Sequence, residues 1–275
     1  MASSRSVSSD DAARPDPGAL AAYRERPEET ALLFDVDGTL APITTRPAYA
    51  AVPGPARELL AALARRYALV GCVSGRQATE ARRIAGVEGI VYVGNHGLEV
   101  LAPGASEPAL DPGLGARAEA AARFVAGLDP ARLADAALAV EDKGPIQALH
   151  WRAAADQERA EEAARAIAAE APAEVRPHWG RKVLELRPAV DVNKGTAVRR
   201  LLAGARVRRA LYVGDDRTDL DAFRALAGLV ESGELEGALC VGVRSGEGPQ
   251  EIVDEADLVV DGTDGVNELL RELAG

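Results

Sequence analysis

From residue 31 onward the chain alternates short unbroken apolar runs with longer stretches in which leucine and alanine recur every three or four residues. Residues 31–36 (ALLFDV) form an apolar run interrupted at Asp35, the pattern of a parallel strand buried on both faces. Residues 53–67 open on prolines and carry leucines at helical spacing, and residues 68–75 (ALVGCVSG) are a second apolar run reaching Ser74. Together they predict one βαβ unit. A helix over 77–86, closed by Gly86, and a third strand over 89–97 that runs into a glycine-bearing loop continue it. Three alternations predict a parallel sheet covered by helices.

The rhythm then changes. Residues 115–128 and 156–171 are Ala-rich and amphipathic, and between and after them lie the strand-like segments 137–142, 146–152 and 182–188. This grouping predicts an α+β insert over residues 99–190. Helix and strand alternate again afterwards: helix 193–204, strand 209–216, helix 217–228, strands 238–243 and 257–262, helix 263–273. The expected architecture is therefore a doubly wound α/β core, residues 29–98 and 191–275, split by the insert. Residues 1–28 begin with a stretch rich in Ser, Asp and Pro that lacks an apolar secretory core, and are expected to form a disordered tail.

Composition narrows the function classes. A formal net charge of −11 argues against a nucleic-acid partner, whose affinity would come from clustered Lys and Arg, but leaves room for a small anionic substrate held by a few local cations. No apolar run approaches the ~18 residues of a membrane span. Cys72 and Cys240 each sit inside an apolar strand-like run, which reads as two core thiols in a reducing compartment, so a cytoplasmic protein is expected. A monomer is expected as well.

The candidate chemistry sits at the ends of the apolar runs. Phe34-Asp35-Val36-Asp37-Gly38-Thr39-Leu40 places two carboxylates two residues apart where the first strand leaves the sheet, the edge at which open α/β sheets bind ligands. Beside a divalent cation Asp35 can attack phosphorus, and Asp37 can protonate a leaving oxygen and then activate water. Ser74, ending the second strand, can hydrogen-bond a phosphate oxygen. Lys194, opening the helix after the insert, can neutralise charge, and Asp215 of Gly214-Asp215-Asp216 can complete an oxygen-rich Mg²⁺ site. Taken singly these are also a turn, a cap, a surface charge and a second turn. Four such groups in order at four strand ends are a constellation.

At this point the chain resembles the haloacid dehalogenase superfamily, with Asp35 and Asp37 in its first motif, Ser74 in its second, Lys194 in its third and residues 214–219 in its fourth. The resemblance implies Mg²⁺ held by Asp35, the backbone carbonyl of Asp37, and Asp215. FDVDGTLAPI, Ser74-Gly75-Arg76, GNHGLE (94–99) and GDDRTDLDAF make the chain similar, more narrowly, to the trehalose-6-phosphate phosphatases. The insert looks like their cap. By that resemblance Glu141, Lys143, His150, Arg152, Lys182 and Glu185 are candidates for holding the sugar from the cap side, and Gly75, Arg76 and Asp219 for contacts to substrate on the core. E-x-K and H-x-R on neighbouring strands also read as cross-strand surface pairs.

Two departures from the family pattern stand out: Leu220 follows Asp219 where an acid is common, and Arg181 precedes Lys182, which leaves open which of the two faces substrate. The resemblance implies hydrolysis of trehalose 6-phosphate through phospho-Asp35. The alternatives are a phosphatase or mutase for another sugar phosphate, and a catalytically silent regulatory domain.

Overall fold

The computed structural model describes residues 17–44, 49–246 and 248–275, which fall into two compact units, one of residues up to 108 and from 193 onward, the other of residues 109–192. In the first unit, β1 (Thr30–Phe34), β2 (Leu69–Val73), β3 (Val91–Gly94) and β4 (Glu99–Leu101) are followed, beyond the second unit, by β10 (Arg209–Gly214), β11 (Gly237–Arg244) and β12 (Leu258–Asp261). The strands lie in the order β12-β11-β10-β1-β2-β3-β4, parallel throughout except for the antiparallel pair β3–β4. The chain leaves β1 in one direction and returns to its other side, so the switch point lies between β1 and β10.

Alternation along β1 supplies both faces of the sheet. Leu32 and Phe34 pack into one core with α1 (Pro17–Arg24), α2 (Gly54–Arg66), α3 (Ala78–Ala85) and α10 (Gly262–Ala274), while Ala31 and Leu33 pack into the other with α7 (Lys194–Ala203), α8 (Leu220–Glu231) and α9 (Gln250–Asp254). Local chemistry sets the boundaries. Pro53 stands at the N-cap position of α2, and Ala56, Leu60 and Leu63 are the helix's buried stripe. Gly86 ends α3 in the left-handed conformation, with φ 62°. Among the described residues no helix is long and apolar enough to cross a membrane.

The second unit contains the two-residue β5 (Ala109–Leu110), α4 (Ala120–Ala126), α5 (Pro130–Asp135), α6 (Gln157–Ala169) and the strands β6 (Ala139–Lys143), β7 (Ile146–His150), β8 (Val175–Gly180) and β9 (Val183–Pro188). The last four form an antiparallel sheet in the order β6-β7-β9-β8. Leu149, Leu184 and Leu186 occupy one face and pack on Ala160, Ala164 and Ile167 of α6 and on Val125 of α4.

Two expectations change. The tail does not extend to residue 28: Pro17–Arg24 is a helix whose Leu20 and Tyr23 are buried, and residues 1–16 lie outside the described residues. The units part at residues 108/109 and 192/193, not 98/99 and 190/191, because β4 pairs with β3 and belongs to the core sheet. The Ala-rich stretch 115–128 divides between a 3₁₀ segment, Pro112–Arg117, with Gly115 inside it at φ 47°, and the separate α4.

Candidate active site

Asp35 follows β1 directly, and its backbone N–H donates to Val213 O of β10 at 2.8 Å, so the switch point itself fixes the residue. The chain then folds back tightly: Leu40 and Ala41 N–H both reach Val36 O, and Gly38 stands at φ 84°. Glycine is required at position 38 twice over, for that φ and because a Cβ would stand 2.0 Å from Asp215 Oδ2. Thr39 Oγ1 donates to Asp215 Oδ1 at 3.2 Å, tying the loop after β1 to the end of β10.

Asn193 builds the N-terminus of α7. Its side chain accepts from Thr196 N–H, and Thr196 Oγ1 accepts from Asn193 N–H, both at 2.9 Å. That capping box sets Lys194 in the first helical turn, where its ammonium, 3% exposed, donates to Asp35 Oδ1 and Asp219 Oδ1, each at 2.7 Å. Three buried carboxylates, Asp35, Asp215 and Asp219, offer oxygens within 4.8 Å of one another. Burial lifts Asp35 well above the usual carboxylate range; Lys194 opposes this, and Asp219 and Asp215 add to it. Asp215 is raised to about 7, by burial first and then by Asp219. Burial pulls the Lys194 ammonium down, but Asp219 and Asp35 outweigh it and hold the charge.

Asp219 is not open to substrate. It is fully buried, its Oδ1 accepts from Lys194 and from Tyr212 Oη (2.7 Å), and its Oδ2 accepts from the N–H groups of Asp215 (3.1 Å) and Asp216 (3.0 Å). Its place in the structure is that of an anchor for Lys194 and for the loop that carries Asp215. Tyr212, whose hydroxyl completes this anchor, looks like any apolar strand residue in the sequence.

Once all three carboxylates are ionised they outnumber the one ammonium by two charges, and Asp35 and Asp215 keep hard oxygen donors that Asp219's hydrogen bonds do not consume. A divalent, oxygen-seeking cation fits that donor set.

Ser74, nearly fully buried, follows β2 directly. Its N–H donates to Val93 O, and its carbonyl accepts from His96 N–H. Arg76 does not point free toward a ligand. Its Nε donates to Asp37 Oδ2 at 2.6 Å and its Nη2 to Asp37 Oδ1 at 2.7 Å, while Nη1 reaches Glu80 Oε1 at 2.6 Å. Asp35, Asp37, Ser74, Gly75, Lys194 and Asp215 all line one cavity of about 420 Å³. Arg76 lines it too, as do His96, Thr218, Ser245 and Pro249, which the sequence reading did not assign to the site. Ser245 follows β11, a further strand ending at the same sheet edge, and that position was the available signal.

In the second unit, Glu141, Ala148 and Glu185 stand opposite one another across β6, β7 and β9, on the face turned away from Leu149 and Leu184. Lys143 Nζ donates to Glu185 Oε1 at 3.0 Å, Arg187 grips Glu185 Oε2, and His150 Nε2 lies 2.7 Å from Glu141 Oε2. Burial raises the Glu185 carboxyl, but Arg187 and Lys143 outweigh it and bring it to about 2. Arg152 and Lys182 are outside this cluster: Arg152 reaches the carbonyl of Arg181 at 3.5 Å, and Lys182 sits in the turn between β8 and β9 with φ 63°.

A family model described as Trehalose-phosphatase matches residues 33–250, a span that includes every motif of the cavity. The chain belongs to the trehalose-phosphatase family. It is 36% identical over 208 residues to a trehalose-phosphate phosphatase of Mycobacterium avium, covering 72% of this chain and 51% of that protein. It is also 36% identical over 203 residues to one of Mycobacterium tuberculosis (71% and 51%). The chain thus spans about half the length of the curated relatives it matches. Among solved structures, a C. albicans trehalose-6-phosphate phosphatase C-terminal domain aligns with TM-score 0.72 at 22% identity, covering 94% of this chain and 97% of that one. A haloacid dehalogenase-like hydrolase of Bacteroides thetaiotaomicron aligns with TM-score 0.61 at 15% identity (89% and 99%). Both show the fold. Leu220, the family-pattern departure, is 6% exposed and packs in the α7/α8 core, while Asp219 beside it keeps all its hydrogen bonds.

Proposed function

We propose that this chain is a phosphoric monoester hydrolase that converts trehalose 6-phosphate to trehalose and phosphate, with Asp35 as nucleophile. The observation that carries the reading is the cluster at the switch point: Asp35 and Asp215 on adjacent strand ends, Lys194 between Asp35 and Asp219, Ser74 and Asp37 in the same cavity. Fold alone would not carry it. A C. albicans trehalose synthase regulatory protein C-terminal domain shares the fold with TM-score 0.64 at 14% identity, so the retained side chains matter more than the architecture.

Mg²⁺, held by the Asp35 and Asp215 carboxylates and the Asp37 carbonyl, would supply charge neutralisation for the carboxylate and phosphoryl oxygens. The residues do the rest. Asp35 Oδ attacks phosphorus as the bond to the sugar oxygen breaks, and that oxygen takes its proton from Asp37. Lys194 and Ser74, with the backbone N–H groups of its loop, stabilise the charge spread over the phosphoryl oxygens. Asp37 then removes a proton from water, whose oxygen attacks phosphorus and frees Asp35 and phosphate. The Glu141, Lys143, His150 and Glu185 face of the second unit is proposed as its carbohydrate-recognising surface. Charged groups there match sugar hydroxyls, and a substrate lacking those hydroxyls leaves them unpaired. Both cysteines are buried free thiols, which fits a reducing cytoplasm.

The test is phosphate release from trehalose 6-phosphate, glucose 6-phosphate, sucrose 6-phosphate and p-nitrophenyl phosphate, with Mg²⁺ or EDTA. Mg²⁺-dependent release with trehalose 6-phosphate preferred is expected. Preference for another sugar phosphate contradicts the substrate, and silence toward all four contradicts the activity.

A further inference from the structure

Asp37 is asked to give a proton and take one back, yet it stands on a turn with its side chain 36% exposed, where a lone carboxylate would sample several rotamers. Both of its oxygens are held by the parallel N–H groups of Arg76, the fork geometry that fixes a carboxylate's plane as well as its place. Arg76 is itself fixed from three sides. Its backbone N–H donates to Ser74 Oγ at 3.2 Å, its carbonyl accepts from Asn95 N–H at 2.7 Å, and its remaining guanidinium nitrogen is bound by Glu80 in the first turn of α3. That turn is anchored in the core, because the buried Glu99 accepts from Ala78 N–H at 2.6 Å. A continuous chain of hydrogen bonds therefore runs from the sheet edge through α3 to the carboxylate of Asp37.

We infer that Arg76, braced by Glu80, is the positioning residue of Asp37, and that it serves the acid–base group instead of holding the substrate. The inference rests on the proposed role of Asp37. It assigns Arg76 an effect on turnover in both halves of the reaction: delivery of the Asp37 proton to the sugar oxygen, and removal of a proton from the water that releases phosphate from Asp35. A guanidinium bound to substrate phosphate would act on affinity instead.

The two roles separate kinetically. p-Nitrophenolate leaves without a proton, so with p-nitrophenyl phosphate the first half needs little from Asp37, whereas the second half still needs it. Arg76→Ala is expected to lower kcat on an alkyl phosphate by roughly 10²-fold while KM moves less than about threefold. With p-nitrophenyl phosphate it should show a burst of one equivalent of p-nitrophenolate per site followed by slow turnover. Arg76→Lys, which keeps the charge and loses the fork, should resemble Arg76→Ala. On an Asp37→Asn background Arg76→Ala should cost nothing further, the non-additivity of two residues acting as one unit. Glu80→Gln, which loosens the guanidinium without touching Asp37, covers the case of a misfolded Arg76 variant and should give a smaller fall in kcat in the same direction. The inference is overturned if Arg76→Ala raises KM with kcat retained, if Lys restores activity, or if the losses at positions 37 and 76 add. The alkyl phosphate is whichever one the wild type cleaves and p-nitrophenyl phosphate needs no sugar recognition, so a wrong sugar shows in the substrate panel and leaves this comparison readable.

Discussion

Asp35→Asn lowers phosphate release by at least about 10³-fold and leaves the protein folded: that is the expected result for a nucleophile replaced by an amide with no negative oxygen to attack phosphorus. The same substitution should not lower stability in the absence of divalent metal. Asp35 is buried beside two other carboxylates and its carboxyl is held well above the usual range, chiefly by burial, so its charge is a burden on the metal-free fold. The Asn carbonyl can still accept the hydrogen bond that Lys194 gives Asp35 at 2.7 Å. In EDTA the variant should melt no lower than the wild type. On adding Mg²⁺ the wild type should gain in Tm by mass action, and the variant, one ligand short, should gain less. Loss of activity accompanied by a large fall in Tm would instead assign Asp35 a mainly structural part.

Lys194→Met has the opposite balance. The ammonium is the cation shared by Asp35 and Asp219, and replacing it with a thioether of similar length leaves three buried carboxylates facing one another. Breaking a buried pair from one side costs about 3–5 kcal/mol, and chemical denaturation in EDTA at neutral pH should read a loss of that order together with loss of activity. The pH dependence follows from the carboxylates. Asp215 is already raised from 3.8 to about 7, so the folded state binds protons more tightly than the unfolded state, and stability from this group falls as pH rises through that window. Lys194 opposes the rise at Asp215 and Asp35, so removing it pushes both further the same way. The deficit of the variant should therefore be greatest at alkaline pH and shrink on acidification; a deficit independent of pH would contradict the charge account.

The elements that carried chemistry were legible because they are punctuated. Apolar runs ending in Asp35, Ser74 and Gly214-Asp215 mark strands and their carboxyl ends in one stroke, and Asn193 with Thr196 writes a helix start into four residues. What stayed hidden depends on partners distant in sequence. Arg76 meets Asp37 across 39 positions, and nothing local distinguishes a guanidinium gripping a carboxylate from one awaiting a phosphate. Asp219, at the end of an acidic motif, was expected to contact substrate. Its burial follows from Lys194, 25 positions away, and from Tyr212, whose strand position gave no hint of a polar role. The strand Val175–Gly180 escaped notice because Pro177 and Gly180 break the usual strand pattern, which an edge position in the four-stranded sheet tolerates. Helix Pro17–Arg24 was obscured by the Ser- and Asp-rich residues before it, although Leu20 and Tyr23 are spaced to share a helix face.

The central claim is that the phosphoryl group passes through the Asp35 carboxylate. Its most direct test is to mix the enzyme with substrate and Mg²⁺, quench within a turnover, reduce any acyl phosphate with borohydride, and locate the product by peptide mass spectrometry. The account predicts homoserine at position 35 and at no other acidic residue, formed only when substrate is present. Reduction at Asp37 or Asp215, or turnover with no acyl phosphate formed at any residue, would contradict it.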